Sequence, residues 1–205
     1  MDVYGRDSRC GEANGNSMRM SERFQEPSLV PEIPLAAAMG RRKMPAQKPG
    51  LSKQDYATPK IFIDAVKRRF GIHEFAYDLA ASRENTKAKH FFCEEEDSLK
   101  QDWRKIRGDA WLNPPYAHIA PWAEKCAASA GFKYDSGRVR QIYFLVPAAV
   151  GSNWFAQHVD GKALVLLLNG RISFDGKAPY PKDCILAVFG PKPGYEVWSW
   201  AKGSK

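Results

Sequence analysis

The sequence predicts an α/β domain built on a mainly parallel β-sheet with helices on both faces. Short apolar runs alternate along the chain with segments whose apolar residues recur at helical spacing, and this alternation is typical of a parallel sheet with crossover helices. The run 163–168 (ALVLLL) contains no polar residue, as expected of a strand that is buried on both faces. The length of 205 residues allows one domain with a sizeable core.

Local signals place each element of this fold along the chain. Thr58 and Pro59 open a helix as its N-cap and first helical residue, and Gly71 ends that helix. Two further helices are predicted over 121–130 and 153–159. The predicted strands are 75–79, 90–93, 110–112, 139–146, 163–168 and 184–189.

Residues 1–53 differ in composition from the rest of the chain. They carry many Gly, Asn, Ser, Met and Arg residues, prolines at positions 27, 31, 34, 45 and 49, and little apolar periodicity. We therefore predict a flexible, partly basic N-terminal arm over 1–53 and a single domain over 54–205. The basic run 41–43 is typical of a solvated tail, and a segment that lies along a DNA backbone is the alternative.

Bulk composition argues against several classes of protein. No apolar run approaches the ~20 residues of a membrane-spanning helix, and the polar N-terminus lacks an apolar signal-peptide core, so we expect a cytoplasmic protein. The four cysteines and four histidines are scattered, which argues against a metal site or a disulfide framework. Lys and Arg number 31 against 23 Asp and Glu, a net charge of +8, which favours a polyanionic partner such as DNA.

The tetrapeptide Asn113-Pro114-Pro115-Tyr116, after the apolar strand 110–112, is the strongest functional signal in the chain. An exocyclic amine on a nucleobase is a poor nucleophile because its lone pair is delocalised into the ring. An Asn side-chain oxygen and the next carbonyl, both aimed at the amine hydrogens, would make that lone pair available. The prolines fix the backbone, and the Tyr ring offers a surface on which a base can stack.

A proline-rich loop that closes a strand, with Asn as a helix cap, is the structural alternative for this tetrapeptide. Its position between a hydrophobic strand and a predicted helix favours the functional interpretation, since the carboxyl edge of a parallel sheet is where such folds bind ligands. The turn could act on several exocyclic or amide amines, among them cytosine N4, adenine in RNA and the side chain of protein glutamine. The positive net charge disfavours protein but does not separate DNA from RNA.

A series of motifs extends this signal over most of the predicted domain. In order they are YATPKIFIDAV, AYDLAAS, EEEDSLKQDW, GDAWLNPPY, YFLVPAA followed by NWF, and NGRISF. Their order and spacing resemble the phage-type DNA N6-adenine methyltransferases, the Dam family of phages and prophages. The resemblance implies a Rossmann-like S-adenosylmethionine-dependent methyltransferase fold and site-specific methylation of adenine N6 in double-stranded DNA. It also implies a phage or prophage origin, with protection from restriction or regulatory marking as the purpose.

The resemblance assigns cofactor-binding roles to residues at the ends of strands and helices. Thr58 and Pro59 match the family's TP element and are expected near the methionine end of S-adenosylmethionine, where a helix N-terminus also attracts a carboxylate. Asp78, with Ala80 in the turn after it, is expected to meet the cofactor ammonium group. Asp97 matches the family's EDxL element and is expected to contact a polar group of the cofactor. An ordinary strand-end acid that caps a helix is the alternative for Asp78.

The resemblance also assigns the catalytic roles to the tetrapeptide. Asn113 and Pro114 are expected to position the amine and to offset its developing charge, and Pro115 to shape the turn. Tyr116 is expected to stack on an adenine that has left the duplex.

The late motif NGRISF is expected to contact DNA. The resemblance implies that Phe174 sandwiches the flipped base opposite Tyr116 and that Arg171 meets a phosphate; a core ring and a surface turn residue are the alternatives. The stretch 171–182 and the basic arm are where sequence specificity is expected. A catalytically inactive DNA-binding relative stays open as an alternative function, and neither the recognition sequence nor the oligomeric state follows from the sequence.

Overall fold

The computed structural model describes residues 57–131, 140–174, 176 and 178–201. These residues belong to one compact unit, Pro49–Lys205, and the predicted arm over 1–53 lies outside the described residues. Within the described part of the chain, no helix is both long enough and apolar enough to cross a membrane. The same residues contain no group of three or more His, Cys, Asp or Glu side chains that could hold a metal ion.

A seven-stranded sheet organises the described domain. Its strands lie in the order β2-β1-β3-β4-β6-β5-β7. In chain order, the strands are β1 (Phe75–Asp78), β2 (Ala88–Phe91), β3 (Ala110–Leu112), β4 (Ile142–Pro147), β5 (Ala163–Leu168), β6 (Cys184–Phe189) and β7 (Gly194–Trp198). β2, β1, β3 and β4 run parallel, as do β5 and β7, whereas β6 is antiparallel to β4 and β5. The prediction of a mainly parallel sheet is confirmed.

Helices cover both faces of the sheet, as predicted. Successive strand residues point to opposite faces, so Phe144 of β4 belongs to one core and its neighbour Tyr143 belongs to the other. One helix packs on the Tyr143 side, and two pack on the Phe144 side. They are, in chain order, α1 (Lys60–Phe70) on the first side, and α2 (Ile119–Ser129) and α3 (Asn153–His158) on the second.

Most predicted elements are present, and the differences lie mainly at their ends. The strands over 110–112, 163–168 and 184–189 have the predicted bounds. β2 starts two residues earlier than predicted, and α2 starts two residues before the predicted Pro121. β7 has no counterpart in the prediction. The Gly-Pro-Lys-Pro-Gly run 190–194, which ends at the first residue of β7, indicates a loop.

The N-terminus of α1 differs from its predicted cap. The Pro59 carbonyl accepts hydrogen bonds from the amides of Phe62 (3.0 Å) and Ile63 (3.3 Å), so Pro59 is the N-cap. The prediction of Thr58 as N-cap is wrong, because the extended ψ of 141° at Pro59 keeps that residue outside the helix. The predicted stop at Gly71 is confirmed, since this residue takes the left-handed conformation with φ 65°.

The crossover from β2 to β3 consists of short 3₁₀ turns instead of a long helix. These turns span Glu94–Glu96, Ser98–Lys100 and Trp103–Lys105. The buried Trp103 indole donates a hydrogen bond of 3.0 Å to the Ser98 carbonyl. From α2, the Lys125 ammonium group donates to the carbonyls of Leu99 and Gln101 at 2.5 and 2.6 Å. The crossover from β2 to β3 is therefore hydrogen-bonded to α2, the helix that follows the Asn113 turn.

One edge of the sheet collects the predicted functional segments. β1 and β3 end side by side there, and the Leu79 amide donates 2.8 Å to the Trp111 carbonyl. Helix α1 reaches the same edge at its first turn, because the Phe62 ring lies 5.9 Å from the ring of Trp198, the last residue of β7, and 5.0 Å from that of Trp200. The carboxyl edge of open α/β sheets is where ligands bind.

Candidate active site

The turn Asn113-Pro114-Pro115-Tyr116 begins directly after β3, at this carboxyl edge. Pro114 is buried, Pro115 is exposed, and Asn113 and Tyr116 are half-buried. Proline fixes φ near −65° and carries no backbone donor, so the two prolines present carbonyl groups without competing N–H groups. The turn is therefore rigid and rich in acceptors.

Asn113 and Tyr116 are joined by a side-chain hydrogen bond. The Tyr116 hydroxyl donates to Asn113 Oδ1 at 2.8 Å. This bond restricts the rotation of the Asn113 side chain and holds it against the Tyr116 ring. A carbonyl oxygen has two lone pairs, and Oδ1 can accept from the hydroxyl and from an incoming amine together.

Three aromatic rings meet beside this turn. The centroid of the Tyr116 ring lies 6.3 Å from that of Phe174 and 5.9 Å from that of Tyr180, and the Phe174 and Tyr180 rings are 5.5 Å apart. All three pairs are edge to face. A base held between two parallel rings needs about 7 Å, which is two gaps of roughly 3.5 Å. The rings must therefore reorient before they could enclose a base.

Asp78 ends β1 and is buried, with 2% of its surface exposed. Its carboxylate oxygens accept hydrogen bonds from the backbone amides of Ala80 (3.3 Å) and Lys87 (2.9 Å), which holds the loop between β1 and β2. Burial raises the pKa of the Asp78 carboxyl to about 7, and the bonds from Lys87 and Ala80 offset only part of that effect. No helix begins between β1 and β2, so the helix-capping alternative for Asp78 is wrong. The cofactor contact of Asp78 and Ala80 stays a prediction.

Thr58 lies at the same edge, before the first turn of α1. Its side chain is 3% exposed, and its hydroxyl has no hydrogen-bond partner among the residues that the structure describes. An unsatisfied buried hydroxyl costs about 1–3 kcal/mol, which a protein tolerates where a ligand supplies the partner. The cofactor contact of Thr58 and Pro59 stays a prediction.

Two predicted site residues are engaged in ion pairs of their own. Asp97, which has a positive φ of 46°, pairs with Lys100 at 2.8 Å, and that hydrogen bond lowers the pKa of the Asp97 carboxyl. Arg171 is 53% exposed and pairs with Asp183 at 3.2 Å. Their assigned contacts with cofactor and phosphate stay predictions.

A separate cavity of about 430 Å³ lies between the sheet and the β2–β3 crossover. Tyr77, His90 and Phe92 line one wall, and residues between Gln101 and Arg107 line the other. None of the predicted site residues lines this cavity.

Tyr180 is the site residue that the sequence patterns did not single out. It lies six residues after Phe174, within the stretch 171–182 where specificity was expected, but an isolated Tyr between prolines shows no periodic or motif signal. Its amide donates 2.8 Å to the Ile172 carbonyl. This bond holds the backbone of Tyr180 beside Ile172, and the Tyr180 ring contacts the ring of Phe174.

Most of the described domain is similar in sequence to known proteins. Residues 46–185 match the family described as DNA N-6-adenine-methyltransferase (Dam). The chain is 28% identical over 167 residues to the DNA N-6-adenine-methyltransferase of Escherichia phage T1, a match that covers 80% of this chain and 66% of that protein. It is also 28% identical over 150 residues to the DNA N-6-adenine-methyltransferase of Haemophilus phage HP1 (strain HP1c1), which covers 70% of this chain and 82% of that protein.

The raised pKa of Asp78 predicts a pH-dependent stability. A carboxyl whose pKa is raised on folding favours the folded state below its unfolded pKa near 4, and this contribution is lost as pH rises to 7. Asp78→Asn carries no such charge. We expect the difference in unfolding free energy between Asp78→Asn and the unaltered protein, measured by urea denaturation, to rise by about 4 kcal/mol from pH 4 to 7 and then to level off.

The exposed Asp102 provides the control for this experiment. Its carboxyl pKa is lowered by the hydrogen bond from Arg104, so Asp102→Asn should show no comparable rise between pH 4 and 7. A flat difference for Asp78→Asn over that interval would contradict the buried, raised-pKa carboxyl.

Proposed function

The chain belongs to the DNA N-6-adenine-methyltransferase (Dam) family, and we propose that it transfers a methyl group from S-adenosylmethionine to N6 of adenine in double-stranded DNA. The observation that carries this proposal is Asn113 Oδ1, held by the Tyr116 hydroxyl at the carboxyl edge of the sheet. The two phage relatives are named for the same activity.

Asn113 and Pro114 act on the amine. The Asn113 Oδ1 atom and the Pro114 carbonyl accept the two amine hydrogens, which draws the nitrogen lone pair out of conjugation with the ring. The same two oxygens stabilise the positive charge that develops on N6 as it is methylated. No strong base is required, because the methylated amine is acidic enough to lose a proton to water. Pro115 keeps the turn rigid.

Residues on the same edge are suited to hold the cofactor. S-adenosylmethionine supplies an electrophilic methyl group on a sulfonium centre when it is bound. The buried Thr58 hydroxyl, unpartnered among the described residues, offers it a hydrogen bond, and Pro59 places a helix N-terminus toward its carboxylate. Asp78, at the end of β1, and Ala80, in the turn after it, would hold its ammonium group, whose positive charge would offset the burial of the Asp78 carboxyl. Asp97 contributes a carboxylate from the β2–β3 crossover.

The DNA base reaches this site by leaving the duplex. A base inside the stack cannot present its amine to a turn at the edge of a sheet, so the target adenine is extrahelical when it reacts. Tyr116 and Phe174 offer rings on which it stacks. Arg171 can exchange its exposed ion pair with Asp183 for a phosphate, and the net charge of +8 favours the approach of DNA.

Other amines would meet the same turn. Cytosine N4, RNA adenine and protein glutamine all carry an exocyclic or side-chain amide nitrogen, and no described contact favours any of them over adenine. We place the enzyme in the cytoplasm of a bacterial host and assign it to a phage or prophage, in keeping with its phage relatives.

Replacing the Asn113 acceptor tests the proposed chemistry. Asn113→Ala removes one of the two oxygens that act on the amine, and we expect kcat to fall by at least about 100-fold. The dissociation constant for S-adenosylmethionine should stay within about twofold, since Asn113 is not assigned to the cofactor. Asn113→Asp is the matched control, because it keeps an acceptor oxygen in place, and it should be more active than Asn113→Ala. Unchanged activity in Asn113→Ala would refute the assigned role.

Removing the Thr58 hydroxyl tests the cofactor assignment. Thr58→Val keeps the shape of the side chain and deletes a buried, unpartnered polar group, so the free protein should gain up to about 1 kcal/mol of stability. Loss of the hydrogen bond should weaken binding of S-adenosylmethionine about tenfold. Urea denaturation and calorimetric titration measure the two effects. A variant that loses stability and binds the cofactor normally would show that the hydroxyl serves the fold.

A further inference from the structure

The ring of Tyr180 stands at the site without an assigned role. It contacts both Tyr116, in the turn after β3, and Phe174, in the loop after β5. The backbone of Tyr180 is fixed, because its amide donates a hydrogen bond to the carbonyl of Ile172, a residue that is only 1% exposed. The ring itself is only partly buried. A fixed backbone with a partly exposed ring is the arrangement expected of a contact surface.

The three rings come from opposite faces of the sheet. Tyr116 packs against the core beneath α2 and α3, whereas Phe174 and Tyr180 pack against the core beneath α1. The sheet separates these two cores, so side chains that belong to them can meet only around its edge. The ring cluster therefore straddles the carboxyl edge and lies directly beside the Asn113 acceptor.

We propose that Tyr180 is a third base-contacting residue, forming with Phe174 the wall of the pocket that faces Tyr116 and receives the extrahelical adenine. This inference rests on the proposed function. In the DNA-free protein the rings contact one another edge to face, and the base takes the place of those contacts when it enters. Tyr180 then supplies stacking that Phe174, the ring indicated by the sequence motif, does not supply alone.

Substitutions of Tyr180 separate this role from simple packing. Tyr180→Ala removes the ring, Tyr180→Leu keeps apolar bulk without a flat surface, and Tyr180→Phe keeps the ring. Tyr195→Ala is the matched control. It removes a Tyr that is 55% exposed and lies near the start of β7, whereas the site lies at the carboxyl ends of the strands. The full chain is assayed with unmethylated plasmid DNA and S-adenosylmethionine.

Tyr180→Ala and Tyr180→Leu should raise KM for DNA about tenfold, in line with the loss of one stacking ring. Tyr180→Phe and Tyr195→Ala should match the unaltered enzyme. Cofactor affinity should not change, and neither should the slope of log affinity for DNA against log salt concentration, because no phosphate contact is lost.

Two results would overturn the inference. One is a KM for DNA within about twofold of the unaltered value in Tyr180→Ala, since loss of a stacking ring costs more. The other is a parallel loss of cofactor affinity in Tyr180→Leu, which would indicate a packing role. The proposed function fails separately, if the unaltered enzyme transfers no methyl group to DNA.

Discussion

Strand β3 is paired in parallel with β1 on one side and β4 on the other, and this pairing fixes where the chemistry takes place. Trp111 and Leu112 are buried on opposite faces, so a one-residue shift of register would move each side chain into the core on the other side of the sheet. The chain must then leave the sheet at Asn113. Two prolines make that exit rigid, and the Tyr116 hydroxyl orients the Asn113 amide. The acceptor geometry thus depends on the pairing of one three-residue strand.

Energetically unfavourable groups gather at the same edge. The Thr58 hydroxyl is buried and unpartnered within the described residues, and burial raises the pKa of Asp78 to about 7. Both features cost stability in the free protein. Natural proteins carry such costs where a ligand or reaction uses them, and a cofactor with an ammonium and a carboxylate group would relieve both. The proposed cofactor site therefore accounts for two features that the fold alone does not require.

The fold was largely predictable from the sequence, whereas the contacts of the site were only partly so. Buried strands such as 163–168 and 184–189 are apolar throughout, and burial on both faces leaves few alternatives. β7 escaped prediction because prolines precede a short, half-exposed strand. The Asn113 turn was predictable because its chemistry requires those residue types in sequence. Tyr180 was not, because its place beside Tyr116 depends on the sheet edge bringing two separate loops together.

The central claim is that the Asn113 turn directs methyl transfer to adenine N6 in DNA, and the labelled product tests it most directly. The purified protein is incubated with methyl-labelled S-adenosylmethionine and unmethylated duplex DNA, and the DNA is digested to nucleosides and separated. Our account predicts label in N6-methyl-2′-deoxyadenosine. Label in N4-methyl-2′-deoxycytidine would contradict the choice of base, and DNA that stays unlabelled while RNA or protein becomes labelled would contradict the substrate.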